Sequence, residues 1–469
     1  MTIFSKNKSI RKIVASVIFS PVIMSAPTYA KDATLTQSIG ADYDYVADLY
    51  RHFHENPELS YQEKDSAARM AKEWRSLGFE VTERIGDEWI KAKIKRDFGE
   101  VRPDVGGYGL VGVMKNGDGP TLMLRADMDA LPLEEKTGLP YASKVISTDH
   151  RGVEAPVMHA CAHDSHMAIL IGAARQLVQS KDKWSGTLIL LGQPAEEVGH
   201  GAQAMLEDGL YEKFPKPDYV LATHTSGWDK AGDVTYTPGF ALANVDSVDI
   251  HIKGMGTHGS APHTGKDPIV LGAQIVNALQ TLVSRELNPL DDGVVTVGAF
   301  NAGYKHNIIP DAAHLQLTVR SYSDEVRQTL LAGIKRIARA QAISAGLPEE
   351  LYPDIEIERD YTPSTYNDPK LSTRVMGAIA AQLGDERVYK RPPSMGGEDF
   401  SFFHRQDTTI PTLIFWTGGS ERTAMEAATA GKGLLPPANH SPFFAPDPEA
   451  ALKTGVEAMT VGAMELLRK

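Results

Sequence analysis

Cysteine is almost missing from this chain: Cys161 stands alone in 469 residues. No internal disulfide can form, so a disulfide-framework protein is excluded, and the one sulfur serves packing, reactivity or metal ligation. Positive charge is also short. The 48 Lys and Arg against 60 Asp and Glu give a formal charge of -12, which leaves no broad cationic field, so neither nucleic acid nor an anionic membrane surface is expected as a partner. No apolar run after residue 30 has the length of a membrane span. Internal repeats and low-complexity tracts are lacking too, as are a G-x-S-x-G elbow and a Walker-type glycine loop. Gly106-Gly107-Tyr108-Gly109 precedes a strand and does not join strand to helix, so it is a poor nucleotide signature. What remains is ordinary globular usage, 42% hydrophobic and 23% charged, enough for a large core in two domains.

The chain opens with Lys6, Lys8, Arg11 and Lys12, then the apolar run Ile13 to Met24, then Thr28-Tyr29-Ala30. This is the pattern of a cleavable secretory signal over residues 1–30. The run falls short of the roughly 20 apolar residues of a spanning helix and is interrupted by Ser and Pro. Cleavage after Ala30 and a periplasmic or secreted location are expected.

Beyond the leader, helical spacing in Ala41 to Phe53 and near Ser66 to Leu77 alternates with short apolar runs at Gly109 to Met114, Thr121 to Leu124, Thr187 to Leu191 and Tyr219 to Ala222. The alternation predicts a mainly parallel α/β sheet. Between about Asn244 and Glu358 the pattern changes. Val248, Ile250 and Ile252 alternate as a strand, Asp267 to Glu286 is helical, Val294 to Phe300 is a strand, and Leu315, Leu317 and Val319 alternate. Helix Asp324 to Ser344 and a short strand at Ile355 and Ile357 complete a β-α-β-β-α-β order, that of a ferredoxin-like α+β module. From Tyr366 the first pattern resumes, with a helix at Lys370 to Leu383, a strand at Thr412 to Trp416 and a helix from Pro448 to Leu467. The expected organisation is a discontinuous domain, 31–243 and 361–469, interrupted by an inserted domain at 244–360. Gly418 to Pro437 reads as an ordered loop.

The chemistry is densest at His159-Ala160-Cys161-Ala162-His163-Asp164-Ser165-His166, which enters a helix and crowds imidazoles, a thiol and a carboxylate as transition-metal sites do. Taken alone it also fits a solvated turn with one buried cysteine. Glu196 and Glu197 follow the strand Thr187 to Leu191, at the strand end where open α/β sheets bind ligands. Adjacent side chains diverge, so one acid can ligate a metal while the other acts as general base. His224 follows the next strand, Asp127 and Asp129 follow Thr121 to Leu124, and His440 lies in a late loop. Each alone reads as a surface or capping residue; their recurrence at strand ends suggests convergence.

With these residues in place, the sequence resembles the M20 metallopeptidase and amidohydrolase family, in its aminoacylase, hippurate hydrolase and auxin-conjugate hydrolase branch. The matching segments are His54-Glu55-Asn56-Pro57-Glu58-Leu59-Ser60 with Glu63, Arg125 to Pro132, His159 to His166, Gln193 to Glu197, Gly254 to Pro262, Asn307 to Pro310, Gly396 to Phe400 and the His440 loop. They run in family order over almost all of the mature chain. The departures are Ala162, where the branch has Gly, and a longer stretch from Lys91 to Gly107.

The resemblance implies a hydrolase with two divalent cations, held by Cys161, His163, Glu197, His224 and His440; Zn, Mn, Co and Ni all accept such donors. It implies Glu196 as general base and Asp127 as an acid that orients a ligand. A donor for the tetrahedral oxyanion is still required. His258 matches the family's inserted-domain histidine that reaches over the site, often from the partner subunit of a homodimer. Asn307 and Arg320 match positions suited to a substrate carboxylate, Arg320 being equally readable as a strand-end ion pair. Glu398 and Asp399 lie in a segment that lines the family's pocket and otherwise reads as a solvated turn. The expected activity is hydrolysis of N-acyl amino acids by an exported enzyme, with the inserted domain closing on hinges near Ala243 and Asp360 to Pro363. The alternatives are a dipeptidase or carboxypeptidase on the same scaffold, a non-catalytic binder of metal or small acids, and a thiol hydrolase using Cys161.

Overall fold

The structure, a computed structural model, describes residues 31–469; the leader expected over residues 1–30 lies outside them. Its larger sheet has eight strands in the order Glu80–Ile85, Gly109–Asn116, Gly186–Gln193, Thr121–Asp127, Tyr219–Lys230, Thr412–Ser420, Val234–Tyr236 and Val388–Lys390. Strands three to six in that order run parallel, and antiparallel pairings enter on both sides. Strands covered on both faces carry nearly continuous apolar sequence, as Thr187 to Leu191 does. One face holds the helices Ala33–Glu55, His163–Gln179 and Pro448–Leu467 over Leu49, Phe53, Leu124, Leu170 and Met459. The other holds Gly201–Glu207 and Ser401–Gln406 over Ile189, Met205, Phe403 and Ile414.

The second sheet has four antiparallel strands in the order Gly293–Ala302, Ala312–Ser321, Asn244–Lys253 and Asp354–Ile357. Val248, Ile250, Ile252, Leu315 and Leu317 are buried at alternate positions, because this sheet has helices on one face only. Pro268–Thr281 and Asp324–Ser344 supply Leu271, Ile275, Leu330 and Ile334 to that core. Truncating any of these to Ala costs about 2–5 kcal/mol. The connection order is the β-α-β-β-α-β expected from the alternation.

The chain leaves the first unit after Gly239–Leu242, which pairs with Thr365–Asn367, and enters the second sheet at Asn244. Val245 and Thr362 exchange backbone hydrogen bonds of 2.9 and 3.2 Å, so the two connecting segments run side by side. Asp360 next to them accepts from Lys93 at 2.7 Å and Arg96 at 2.6 Å.

Several elements differ from the sequence expectation. The first helix begins at Ala33 because the Asp32 side chain accepts from the backbone N–H groups of Thr34 and Leu35. A helix at Asp87–Phe98, not anticipated, fills the start of the longer stretch; it buries Ile90, Lys93 and Ile94, a stripe too narrow to stand out among lysines. Strand Tyr219–Lys230 runs past Ala222, since Thr225 and Ser226 pair with Thr417 and Gly418. Gly418 to Pro437 contains the end of a strand and a helix, Arg422–Thr429, capped by Glu421. Among the described residues no helix is long and apolar enough to cross a membrane.

Candidate metal centre

Two of the parallel strands end level, Asp127 opposite Gln193, and the next two carry His224 opposite Trp416 within strands that run on to Lys230 and Ser420. Glu196 and Glu197 follow the first pair directly. The cluster from the helix entry is turned toward this rim at Ala162, whose φ of 71° is left-handed, with the helix starting at His163. Such a conformation costs an alanine roughly 1–2 kcal/mol and suits the glycine of the branch. His440 arrives with φ 67° on a loop pinned by Asn439, whose side chain accepts from Gly227 N–H at 2.8 Å and donates to Thr225 carbonyl at 2.9 Å. Gly227 permits the approach, for a Cβ there would meet Ala438 Cα at 2.7 Å.

Two groups of donor atoms result, Cys161–His163–His224 and Cys161–Glu197–His440, each within 4.8 Å internally and sharing the thiol. Cys161 Sγ lies 3.2 Å from His440 Nε2 and 3.4 Å from His224 Nε2. His163 donates from Nδ1 to the Asp129 carbonyl at 2.7 Å, and His224 from Nδ1 to the Thr225 carbonyl at 2.9 Å. Each Nε2 is thereby left as a lone-pair donor, the arrangement that metal-ligating histidines use. His163 Nε2 and Glu197 Oε1 are buried without a hydrogen-bond partner, and such orphaned atoms are costly unless a ligand satisfies them. A soft thiol, imidazoles and a carboxylate suit divalent transition cations, so the residues fit the two-cation group.

The remaining expected residues are placed as follows. Asp127 accepts from Arg125 at 2.7 Å and from His166 Nδ1 at 2.5 Å, and sits 3.6 Å from His163 Nε2. His166 Nε2 in turn accepts from Thr225 N–H, so both its nitrogens are taken. The bond that orients His163 comes from Asp129, not Asp127, which corrects the expectation. Asp129 also receives the N–H groups of Glu196 and Glu197 at 3.1 and 3.0 Å, and the Ser60 hydroxyl at 2.6 Å. His159 is buried with both nitrogens unpartnered, and burial pulls it down to about 4.

Glu196, Glu197, Cys161, His224 and His440 line a cleft of about 570 Å³ together with Trp228, Arg320, Arg391, Glu398 and Asp399. That volume suits a small molecule. Glu398 is not a solvated turn residue: it is buried and accepts from Arg125 at 2.8 Å, with Asp399 at 3.2 Å from the same guanidinium. Among the described residues Arg320 makes no ion pair with a carboxylate; it donates to the Met395 carbonyl at 2.9 Å. His258 and Asn307 do not line the cleft of their own chain. His258 lies on a two-strand ladder, Thr257–His258 with Ile308–Ile309, Asn307 directly precedes its second strand and accepts through its carbonyl from Gly259 N–H at 2.8 Å, and both side chains are exposed.

Burial, then the neighbouring Glu398 and Glu197, push Glu196 well above the usual carboxylate range. Burial also lifts Glu197, to about 8, against the pull of His163. For His163 burial works downward, but Asp127, Asp129 and Glu197 outweigh it and raise it to about 10. Burial, then Glu197 and Glu196, push the Cys161 thiol up, the reverse of what a free nucleophilic cysteine needs.

Donors gathered along the parallel strands, a thiol shared between two donor groups and a second glutamate beside Glu197 that joins neither thiol group define a metal-dependent hydrolase. The chain belongs to peptidase family M20/M25/M40, whose model matches residues 123–434. It is 37% identical over 358 residues to a hippurate hydrolase of Campylobacter jejuni, covering 75% of this chain and 83% of the relative. It is 35% identical over 428 residues to thermostable carboxypeptidase 2 of Saccharolobus solfataricus, covering 91% and 96%. Among solved structures it is similar to a dinuclear metal binding peptidase of the M20 family from Bacillus subtilis, with TM-score 0.68, 28% identity and 91% and 99% of the two chains covered.

Proposed function

We propose that the protein hydrolyses N-acyl amino acids to a carboxylic acid and a free amino acid. The observation that carries this reading is a guanidinium without a counter-charge in the same cleft as the acid pair: Arg320 has no carboxylate partner among the described residues, yet lines the space with Glu196 and Glu197. Such a cation recognises the one carboxylate of an N-acyl amino acid and leaves its amide toward the acids. The hippurate hydrolase relative supports this choice of substrate.

In this reading Cys161, His163, Glu197, His224 and His440 would hold two divalent cations, which would supply Lewis acidity toward the amide carbonyl and the attacking water. Glu196 accepts the proton of that water as its oxygen adds to the amide carbon. It then delivers the proton to the nitrogen as the C–N bond breaks, and returns to its starting state. Asp127 and Glu398 hold Arg125 fixed behind it, and Asp127 also fixes His166. His258 and Asn307, turned away from their own cleft, serve the cleft of a second copy in a homodimer, where His258 supplies the oxyanion donor. The basic-then-apolar leader supports export, with a mature chain starting at Lys31.

The test is amino-group release from a panel of N-acyl amino acids and dipeptides, before chelation, after it, and with single metals restored. Release that vanishes with chelator and returns with metal is expected. A dipeptidase activity would appear as preference for substrates with a free amino terminus, and a carboxypeptidase activity, favoured by the carboxypeptidase relative, as faster release from peptides than from amino acids carrying a simple acyl group. No release under any metal would overturn the proposal.

A further inference from the structure

The geometry points to a third divalent-cation site, on the open face of the inserted sheet, built from Asp249, His251, His314 and Glu356. His251 and His314 are direct cross-strand partners, and Asp249, two residues along, lies opposite both Gln316 and Glu356. All four side chains therefore share the face that the helices leave uncovered. The two imidazoles stack with centroids 4.4 Å apart and planes 11° from parallel. His314 Nε2 and Asp249 Oδ1 are 2.5 Å apart, and His251 Nε2 and Glu356 Oε2 are 3.9 Å apart. One donor atom from each of Asp249, His251 and His314 falls within 4.8 Å of the others.

Two imidazole nitrogens and two carboxylates are a donor set for Zn²⁺, and also for Ni²⁺ or Cu²⁺. Donors around a tetrahedral zinc stand about 3.3 Å apart, given bonds of about 2.0 Å. The Asp249–His314 pair must open by under an ångström and His251 and Glu356 must close by about as much. His251 and Glu356 are exposed and Asp249 and His314 half-buried, so rotamer changes suffice. The next pair on the same face, Lys253 with Asp354 at 2.6 Å, shows what an ordinary surface pair on this sheet looks like. A cation here would tie together three strands, one of which carries Arg320 toward its other end. The site uses no residue of the catalytic cleft, so it stands apart from the proposed reaction.

The test compares metal content in the enzyme carrying its catalytic cations and in the His251→Ala/His314→Ala double variant, each dialysed against micromolar free Zn²⁺. Wild type is expected to hold one equivalent more than the variant, whatever the cleft retains, with equal hydrolysis rates. With Co²⁺ the extra equivalent should add d–d absorption without thiolate charge transfer, since Cys161 is not involved. Equal metal content, or an extra equivalent that survives in the variant, would overturn the proposal. Should the double variant not fold, His314→Gln, which keeps size and polarity, carries the same comparison and should lose the same equivalent.

Discussion

Asp129 grips His163 through its backbone carbonyl at 2.7 Å, while its carboxylate takes the N–H groups of Glu196 and Glu197. One residue therefore fixes both the tautomer of an imidazole and the direction in which two adjacent glutamates diverge. Asp129→Ala removes the carboxylate, which also stands 3.3 Å from His163 Nδ1, but keeps the carbonyl, so the glutamates lose their anchor while His163 keeps the shorter of its two contacts with Asp129. Outer partners of this kind are worth about 10- to 100-fold in activity or metal affinity. A kcat/KM reduced by that much, with metal content measured alongside, is the expected result; wild-type kinetics would show that the anchor is dispensable.

Glu196 and Glu197 should separate cleanly on substitution. Both acids have an oxygen 3.8 Å from His163 Nε2, but Glu197 also has one 3.6 Å from His440 Nε2 and forms a donor group with Cys161 and His440, which Glu196 does not join. Glu196→Gln should lower kcat by at least about 10²-fold, the usual worth of a general base, with metal content unchanged. Glu197→Gln should lose metal. Elemental analysis of both variants decides it, and loss of metal from Glu196→Gln would mean the two roles are reversed.

How far the sequence foretold this depended on whether a feature was local. The strand ends at Asp127 and Glu196 were readable because the apolar runs before them are continuous, and the inserted sheet because Val248, Ile250 and Ile252 alternate. The Val234–Tyr236 and Val388–Lys390 strands were not, being three residues long and stable only against their neighbours. Site contacts that cross the chain left no local trace. Arg125 and Glu398 are 273 residues apart, and Asn439 acts on Thr225 and Gly227 from a loop that gives no pattern. Asp129 stood in a matched segment, yet its shortest contact with His163 is made by a backbone carbonyl, which no residue type announces.

Arg320 gives a test of substrate recognition. Its guanidinium donates to a carbonyl and to Thr318, not to an acid, and is pulled down by burial alone. A charge-assisted hydrogen bond to a substrate carboxylate is worth about 1.5–3 kcal/mol, or roughly 10- to 100-fold. Arg320→Ala should raise KM by that factor for an N-acyl amino acid and far less for its carboxamide. An equal effect on both would assign Arg320 to packing.

The placement of His258 predicts complementation. If His258 serves the partner's cleft, then His258→Ala and Glu196→Gln are each inactive as homodimers. A mixed dimer has one site with both lesions and one with neither. Unfolding and refolding an equal mixture should then restore about a quarter of wild-type activity, because half the dimers are mixed and half their sites intact. Activity no higher than the sum of the two variants would place His258 outside the shared site.

His54 lies buried between Asp164 Oδ2 at 2.7 Å and Glu135 Oε1 at 3.1 Å. Burial pulls its imidazole down, but hydrogen bonds to Asp164 and Glu135 prevail and raise it from 6.5 to about 10. Because the folded value lies above the unfolded one, the stabilisation is fully present below about pH 6.5 and fades as pH rises through about 10. His54→Gln leaves two buried carboxylates without their cation, a loss of about 3–5 kcal/mol near neutrality. Thermal melts of both proteins should show the widest gap in Tm near pH 6.5, narrowing steadily toward pH 10 as wild type loses the same charge. A gap independent of pH would mean that His54 is neutral when buried and holds its neighbours by hydrogen bonding alone.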